Sequence, residues 1–132
     1  MPPLLNLDFA QEMLLESLLP LDGAGLDALA FGVIGFDAAT LVCDYNACES
    51  RMAGLSRDRV IGLPLFTAVA ACMNNFMVAH RFEEAAETGT VLDTTLDYVL
   101  TLRMRPQRVR LRLLARPGEA RRFVLIQRQV AA

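Results

Sequence analysis

The sequence predicts an α+β fold: one five-stranded antiparallel sheet with helices on one face and an added N-terminal helical cap. Two observations support this fold. Apolar and polar residues alternate with period two in three consecutive segments of the last third, which indicates an antiparallel sheet with a covered face. Before these segments come two short strand patterns, several short helical pieces and one longer helix. At 132 residues, the chain is long enough for a single domain with its own core.

The first 25 residues are predicted to form the cap, and residues 26–132 are predicted to form the main domain. Asp8 can cap a helix, with Gln11 at the capping-box position. An apolar stripe at helical spacing follows Asp8. The stripe consists of Phe9, Met13, Leu14 and Leu18. Residues 22–25, with the sequence DGAG, are predicted to form a turn or a short linker.

A β-hairpin is predicted at the start of the main domain. Residues 31–36 form a short, buried strand pattern, residues 37–40 a turn, and residues 41–45 the partner strand. Short helical pieces follow up to about residue 64. The segment 77–88 is predicted to be the longer helix, because its apolar residues share one face.

The last third is predicted to contain three strands. Named apolar and polar residues alternate over 96–104 and 108–113, and residues 123–126 start the final strand. Residues 103–132 also contain nine arginines and a single acidic residue. We interpret this basic region as a solvated sheet face rather than a nucleic-acid surface, and the arginines at 108, 110 and 112 are expected to face solvent or a helix.

Charge and composition exclude several classes of protein. The net charge of −2 gives no general affinity for nucleic acid. No apolar run reaches the length of a membrane span, and the N-terminus lacks the basic region of a signal peptide. We therefore expect a cytoplasmic protein that is a monomer or a weak dimer. The three cysteines form no CxxC pair, and we expect no metal site.

The candidate functional residues are a phenol, a carboxyl and a thiol. Tyr45 and Glu49 are four residues apart, so a helix that begins at Asn46 places both side chains on one face. Asn46 itself is expected to be structural and to tie the strand to the helix. Cys72 lies in the segment VAACMNN, and a cysteine thiolate attacks activated acyl groups readily. Taken alone, each of these side chains has an ordinary structural interpretation.

In their order along the chain, several segments resemble the photoactive yellow proteins (xanthopsins), a branch of the PAS-domain superfamily. The resemblance extends from about residue 26 to residue 127. Its segments are LDALAFGVIGFD, DYNACE, RVIG, VAAC, RFEEAAETG and RMRPQRVRLRL. The spacing fits without a gap up to Gly89, and about one extra residue is needed between Gly89 and Tyr98. The resemblance implies the PAS fold.

The resemblance also implies a chromophore. In that family a cysteine carries a p-coumaroyl (4-hydroxycinnamoyl) group as a thioester, and Cys72 matches this cysteine. Tyr45 and Glu49 match the residues that hydrogen-bond the chromophore phenolate. The implied function is a blue-light photoreceptor with covalent p-coumaric acid, which signals by trans–cis isomerisation and proton transfer from Glu49. Burial is expected to keep Glu49 protonated. We expect the signal to pass by contact to an unknown protein partner.

Four positions depart from the family's pattern. Ala53 replaces a threonine that supports the tyrosine, and Leu55 replaces an arginine that covers the chromophore. Ala71 replaces a proline, and Leu102 replaces an aromatic residue, whereas Met104 is retained. The implied chromophore-binding residues are Tyr45, Glu49, Ala53, Leu55, Val69, Leu102 and Met104, with Cys72 as the attachment point. We expect the departures to change the absorption or the kinetics.

Two other functions remain open at this point. The first is a non-photoactive PAS sensor or interaction domain that binds another small ligand in the same cavity. The second is an enzyme with Cys72 as its nucleophile. The second is disfavoured, because the sequence shows neither a third orienting group nor an oxyanion site. We therefore expect no enzymatic activity and assign no catalytic residue.

Overall fold

The computed structural model describes residues 7–101 and 106–128, and within them five strands form one antiparallel sheet. The strands are β1 (Gly32–Phe36), β2 (Val42–Tyr45), β3 (Leu92–Leu100), β4 (Gln107–Ala115) and β5 (Arg122–Arg128). Their order across the sheet is β2-β1-β5-β4-β3, so β1 and β5 pair side by side in the interior of the sheet. The predicted five-stranded sheet and its N-terminal hairpin are confirmed.

The helices lie before the hairpin and between β2 and β3. They are α1 (Leu14–Leu18), α2 (Gly23–Asp27), α3 (Ala47–Ala53), α4 (Arg57–Val60) and α5 (Ala79–Thr88). A π-helical turn at Leu65–Val69 and a 3-10 turn at Ala71–Met73 connect α4 to α5. Among the described residues, no helix has the length and apolar character needed to cross a bilayer.

Each face of the sheet packs against its own apolar cluster. Successive residues of a strand point to opposite faces, so neighbours on β4 and β5 join different clusters. The site cluster lies under α3 to α5. Its sheet residues include Leu111, Leu113, Val124 and Ile126. The cap cluster lies under the N-terminal segment. It contains Phe9, Leu14, Leu15, Leu18, Leu26, Leu29, Phe31, Val33, Leu114, Phe123 and Leu125. The cap therefore covers the sheet face opposite the other helices.

The helix predicted from the N-terminal stripe is shorter than expected. It begins only at Leu14, and Met13 before it has a left-handed φ of 55°. The carbonyl oxygens of Phe9 and Gln11 accept hydrogen bonds from the Arg112 guanidinium at 2.9 and 2.7 Å. A continuous helix would instead use such carbonyls in its own backbone ladder. The prediction was wrong here because a residue on β4 takes these acceptors.

The predicted linker at residues 22–25 is also wrong, because these residues contribute to α2. Asp22 caps the helix, and its Oδ1 accepts a hydrogen bond from the Gly25 backbone N–H at 2.9 Å. Leu26 is buried in the cap cluster. The cap and this burial outweigh the low helix propensity of two glycines. Since α2 extends past residue 25, the boundary between cap and main domain stays a prediction.

Arg112 differs from its neighbours on β4. Arg108 and Arg110 are exposed, as predicted, whereas the Arg112 side chain is only 7% exposed. Its guanidinium makes two hydrogen bonds to the Asp93 carboxylate, at 2.8 and 2.9 Å, besides those to the two cap carbonyls. Arg112 therefore faces neither solvent nor a helix, and it ties the cap to the sheet.

Arg112→Ala is expected to lower the free energy of unfolding by about 3 kcal/mol, because it leaves a carboxylate and two carbonyls without their donor. The matched control is Arg110→Ala, on the same strand. Its exposed ion pair with Asp97 is expected to contribute less than about 0.5 kcal/mol. Urea unfolding followed by circular dichroism measures both values. Equal losses in the two variants would contradict the structural role of Arg112.

Candidate functional site

The buried side chain of Asn46 fixes helix α3 to the sheet. Its Oδ1 accepts hydrogen bonds from the backbone N–H groups of Glu49 at 3.0 Å and Val33 at 2.9 Å. Its Nδ2 donates to the carbonyl oxygens of Leu26 at 2.9 Å and Phe31 at 3.0 Å. The amide thus uses both of its donors and both acceptor positions. The prediction that Asn46 ties the strand to the helix is confirmed.

An ion pair between Asp27 and Arg57 holds the junction of β2 and α3. Asp27 Oδ1 accepts a hydrogen bond from the Ala47 backbone N–H at 2.8 Å and also pairs with Arg57. Arg57 Nε donates to the Tyr45 carbonyl oxygen at 2.8 Å. The Arg57 hydrogen bond is the main reason why the pKa of Asp27 lies below its ordinary value. The backbone on both sides of Asn46 is therefore held in place.

The site cluster brings together four of the predicted site residues. Tyr45 and Val69 are buried members of the cluster. Leu55 and Cys72 are partly buried and pack against it. The predicted phenol and the predicted thiol thus belong to one apolar environment.

The remaining positions singled out in the sequence analysis, as far as the structure describes them, are not among the residues of the site cluster. Ala53 is the last residue of α3 and is half-buried. Ala71, which precedes the cysteine, is exposed. Leu102 and Met104 lie outside the described residues, so their role at the site stays a prediction.

The carboxyl group of Glu49 pairs with Arg128, at the end of β5. The two Glu49 oxygens accept hydrogen bonds from Arg128 Nη1 at 2.6 Å and Nη2 at 3.0 Å. The side chains are 1% and 6% exposed, respectively. Arg128 Nε also donates to Gln107 Oε1 at 3.0 Å. The expected burial of Glu49 is confirmed, but the sequence analysis missed its cationic partner.

Burial and pairing act in opposite directions on the Glu49–Arg128 pair. Burial raises the pKa of Glu49 above its ordinary value, and the Arg128 hydrogen bonds oppose this rise. Burial acts to lower the pKa of Arg128, but the hydrogen bonds and charge of Glu49 outweigh it, so the pKa rises. Tyr45 and Cys48 make smaller contributions in the same direction. The Tyr45 phenol therefore lies within electrostatic range of the guanidinium.

Gly32 on β1 permits the close approach of α3. A Cβ atom at this position would lie 2.2 Å from Glu49 Oε1. Any side chain at residue 32 would therefore displace the carboxylate or the helix that carries it.

Strand parity contains the signal that would have identified Arg128. Val124 and Ile126 both point into the site cluster. Residue 128 is two positions further along β5, so it lies on the same face. The sequence analysis described only the start of this strand, residues 123–126, and it assigned no role to Arg128.

The 3-10 turn that carries Cys72 is tied to β3. Tyr98 Oη donates a hydrogen bond to the Cys72 carbonyl oxygen at 2.5 Å. Asn75 Nδ2 donates to the same oxygen at 3.2 Å and to Tyr98 Oη at 2.6 Å. The sequence analysis assigned no role to Asn75 or Tyr98. The alternation on β3 does place Tyr98 on the same face as Leu100, which is buried in the site cluster.

The other two thiols are poor nucleophiles at neutral pH. Burial, reinforced by Asp44, raises the pKa of Cys43 to about 11. Burial also raises the pKa of Cys48. Both are therefore disfavoured as attachment points for an acyl group. Within residues 7–101 and 106–128, no group of three or more His, Cys, Asp or Glu residues is suited to hold a metal ion.

Comparison with known proteins identifies the family. The sequence is 33% identical over 105 residues to the photoactive yellow protein of Halochromatium salexigens. The matched region covers 80% of this chain and 83% of that protein. The chain belongs to the photoactive yellow protein family. The photoactive yellow protein of Rhodothalassium salexigens is 30% identical with the same coverage. No protein-family model matches the sequence.

Solved structures show the same fold. The photoactive yellow protein domain of the sensor histidine kinase Ppr from Rhodospirillum centenum has a TM-score of 0.75 and 33% identity. The match covers 82% of this chain and 94% of that domain. The PAS domain of an HTR-like protein from Haloarcula marismortui, at 17% identity and a TM-score of 0.60, shares the fold alone. This member of the photoactive yellow protein family is thus a photoreceptor-like PAS sensor domain and not an enzyme.

Asp27→Asn is expected to lower the free energy of unfolding near neutral pH by up to about 1 kcal/mol. Because the pKa of Asp27 is lower in the folded chain than in the unfolded chain, this stabilisation is complete above the unfolded pKa. It is lost as the pH falls through the folded pKa. Urea unfolding, repeated from neutral to strongly acidic pH, should show that the free energies of unfolding of the wild type and the variant converge. A difference in free energy that stays constant with pH would contradict this linkage. Asp58→Asn, which changes an exposed residue of α4, is the control.

Alkylation with iodoacetamide is expected to modify Cys43 slowly near pH 8. At three pH units below the pKa of Cys43, only about one in a thousand of its thiol groups is ionised to the reactive thiolate. The rate at Cys43 should rise about tenfold with each pH unit up to about pH 10. Mass spectrometry of the digested protein measures the rate for each thiol. A rate at Cys43 that is independent of pH between 7 and 9 would contradict the raised pKa.

Proposed function

We propose that the chain is a blue-light photoreceptor with p-coumaric acid bound as a thioester to Cys72. The chain belongs to the photoactive yellow protein family, and one structural observation supports this proposal. Cys72 and Tyr45 belong to one apolar cluster, and the buried Glu49–Arg128 pair lies within electrostatic range of Tyr45. A nucleophile, a phenolic donor and a charged pair are therefore collected around one water-poor region.

The residues present fit an acyl group that ends in a phenol. Cys72 supplies the thiol, and the other two thiols are disfavoured by their raised pKa values. A buried phenolate is unfavourable unless donors and positive charge surround it, and Tyr45 and Arg128 supply these. When bound, the chromophore supplies blue-light absorption and trans–cis isomerisation of its double bond.

In this proposal, the chain's own residues orient the group and handle one proton. The bonds from Tyr98 and Asn75 to the Cys72 carbonyl hold the attachment turn against β3. Tyr45 Oη would donate a hydrogen bond to the phenolate oxygen. Glu49 would carry the proton on one carboxyl oxygen and pass it to that phenolate oxygen on activation. Release leaves a buried carboxylate, which destabilises a domain whose total stability is only about 5–15 kcal/mol. Arg128 reduces this destabilisation, because its guanidinium is already hydrogen-bonded to both Glu49 oxygens.

The signalling role is part of the same proposal. We place the domain in the cytoplasm as a monomer or weak dimer that acts on a protein partner by contact. The related domain of the sensor histidine kinase Ppr supports a role in signal transduction.

A PAS domain that senses another small ligand is the second candidate function. It is favoured by a specific observation, since both oxygens of Glu49 already accept hydrogen bonds from Arg128. A ligand without a phenol would leave this pair intact. Such a ligand would be expected to co-purify with the protein and to be bound independently of Cys72.

Incubation of the apoprotein with activated p-coumaric acid tests the proposal. The wild type is expected to gain one hydroxycinnamoyl group and a visible band that bleaches under blue light. Cys72→Ala should gain neither, whereas Cys43→Ala should react like the wild type. Intact mass and visible spectra measure the outcome. The proposal fails if no adduct forms or if the adduct persists in Cys72→Ala.

A further inference from the structure

Arg128 is a buried cation to which the family resemblance gives no role. Its side chain is 6% exposed, and its guanidinium makes three hydrogen bonds, two to Glu49 and one to Gln107. Removing a guanidinium from water is strongly unfavourable unless its partners are well placed. The two-point contact with a carboxylate is the strongest arrangement available to it. Arg128 is thus held in a defined position beside the site.

Across the described part of the chain, residues 7–101 and 106–128, few other titratable groups act on this pair. Tyr45 on β2 and Cys48 on α3 contribute weakly to the raised pKa of Arg128, and Gln107 on β4 is its neutral hydrogen-bond partner. Arg51 on α3 acts on Cys48. Position 55, which packs against the site cluster, holds an uncharged leucine.

The nearby Arg57 is engaged elsewhere. Its guanidinium pairs with Asp27 and donates to the Tyr45 backbone carbonyl, rather than to a side chain of the site. Among residues 7–101 and 106–128, Arg128 is therefore the cation placed to act on Glu49 through direct hydrogen bonds.

We infer that Arg128 is the counter-ion of this site: it keeps Glu49 ionised in the free chain and balances the one negative charge that Glu49 and a bound phenol share. The role toward a bound phenol rests on the proposed function, whereas the role toward Glu49 in the free chain does not. Two acids beside one buried cation do not both lose their protons easily, because the second negative charge has no partner. One proton is then shared between a Glu49 oxygen and the phenol oxygen, and the site stays neutral overall.

The first test uses the protein without chromophore. Carbon-13 NMR of labelled glutamate, with the Glu49 signal assigned from Glu49→Gln, follows the protonation of this carboxyl with pH. In the wild type, Glu49 is expected to be ionised near pH 7. In Arg128→Gln, burial is unopposed, so the midpoint should rise by about one pH unit or more, a tenfold change in proton affinity. The matched control is Arg122→Gln, which removes a charge from the other end of β5 and should leave the midpoint unchanged.

Equal midpoints in Arg128→Gln and Arg122→Gln would overturn the inference. Arg128→Lys retains the charge and keeps the inference testable if the glutamine variant does not fold. It should change the proton affinity of Glu49 by less than about threefold, because a single ammonium still balances the carboxylate. A larger rise in Arg128→Lys would show that hydrogen-bond geometry, and not charge, controls Glu49, and would equally overturn the counter-ion role.

The second test uses protein with a hydroxycinnamoyl group on Cys72. The midpoint at which the visible phenolate band appears should rise by about one pH unit or more in Arg128→Gln relative to Arg122→Gln. An unchanged midpoint would overturn the counter-ion role toward the phenol. If no adduct forms on Cys72, the proposed function fails, while the NMR comparison still decides whether Arg128 controls Glu49. The two failures are therefore distinguishable.

Discussion

The four hydrogen bonds of the Asn46 side chain are the constraint on which the site depends. A buried amide is unfavourable unless its donors and acceptors are satisfied, and here they are satisfied by backbone groups before β1, within β1 and within α3. Helix α3 therefore has one position relative to the sheet. That position sets Glu49 against Gly32 and within reach of Arg128. The same contacts fix the backbone next to Tyr45.

Local patterns predicted the parts of the fold that depend on local interactions. The hairpin, the α3 cap at Asn46 and the alternation on β4 were all read from neighbouring residues. The N-terminal helix was predicted wrongly, because Arg112 takes the carbonyls of Phe9 and Gln11 from about a hundred residues away. No local pattern records which distant donor will satisfy a carbonyl. The buried Arg112 was misjudged for the same reason.

The site shows the same division between local and long-range information. Short helical pieces were predicted from residue 46 onward, the spacing of Tyr45 and Glu49 suited a helix that begins there, and the resemblance predicted a buried carboxyl. The partner of that carboxyl, Arg128, is 79 positions away in the sequence. Strand parity could place Arg128 on the correct face, but the pairing also requires the position of α3 against β1. The charge of the site was therefore the feature that the sequence alone left incomplete.

Strand β5 connects this charge to the rest of the domain. It pairs with both β1 and β4, and its residues alternate between the two clusters. Val124 and Ile126 face the site together with Arg128, whereas Phe123 and Leu125 pack under the cap. Since packed interiors do not deform continuously, a displacement of Arg128 along the strand requires side chains on both faces to adjust. A second buried arginine, on β4, ties the cap to the sheet on the far side. Among the described residues, a buried guanidinium thus pairs with a carboxylate on each face of the sheet. Strand β5, like β1 and β4, contributes residues to both clusters.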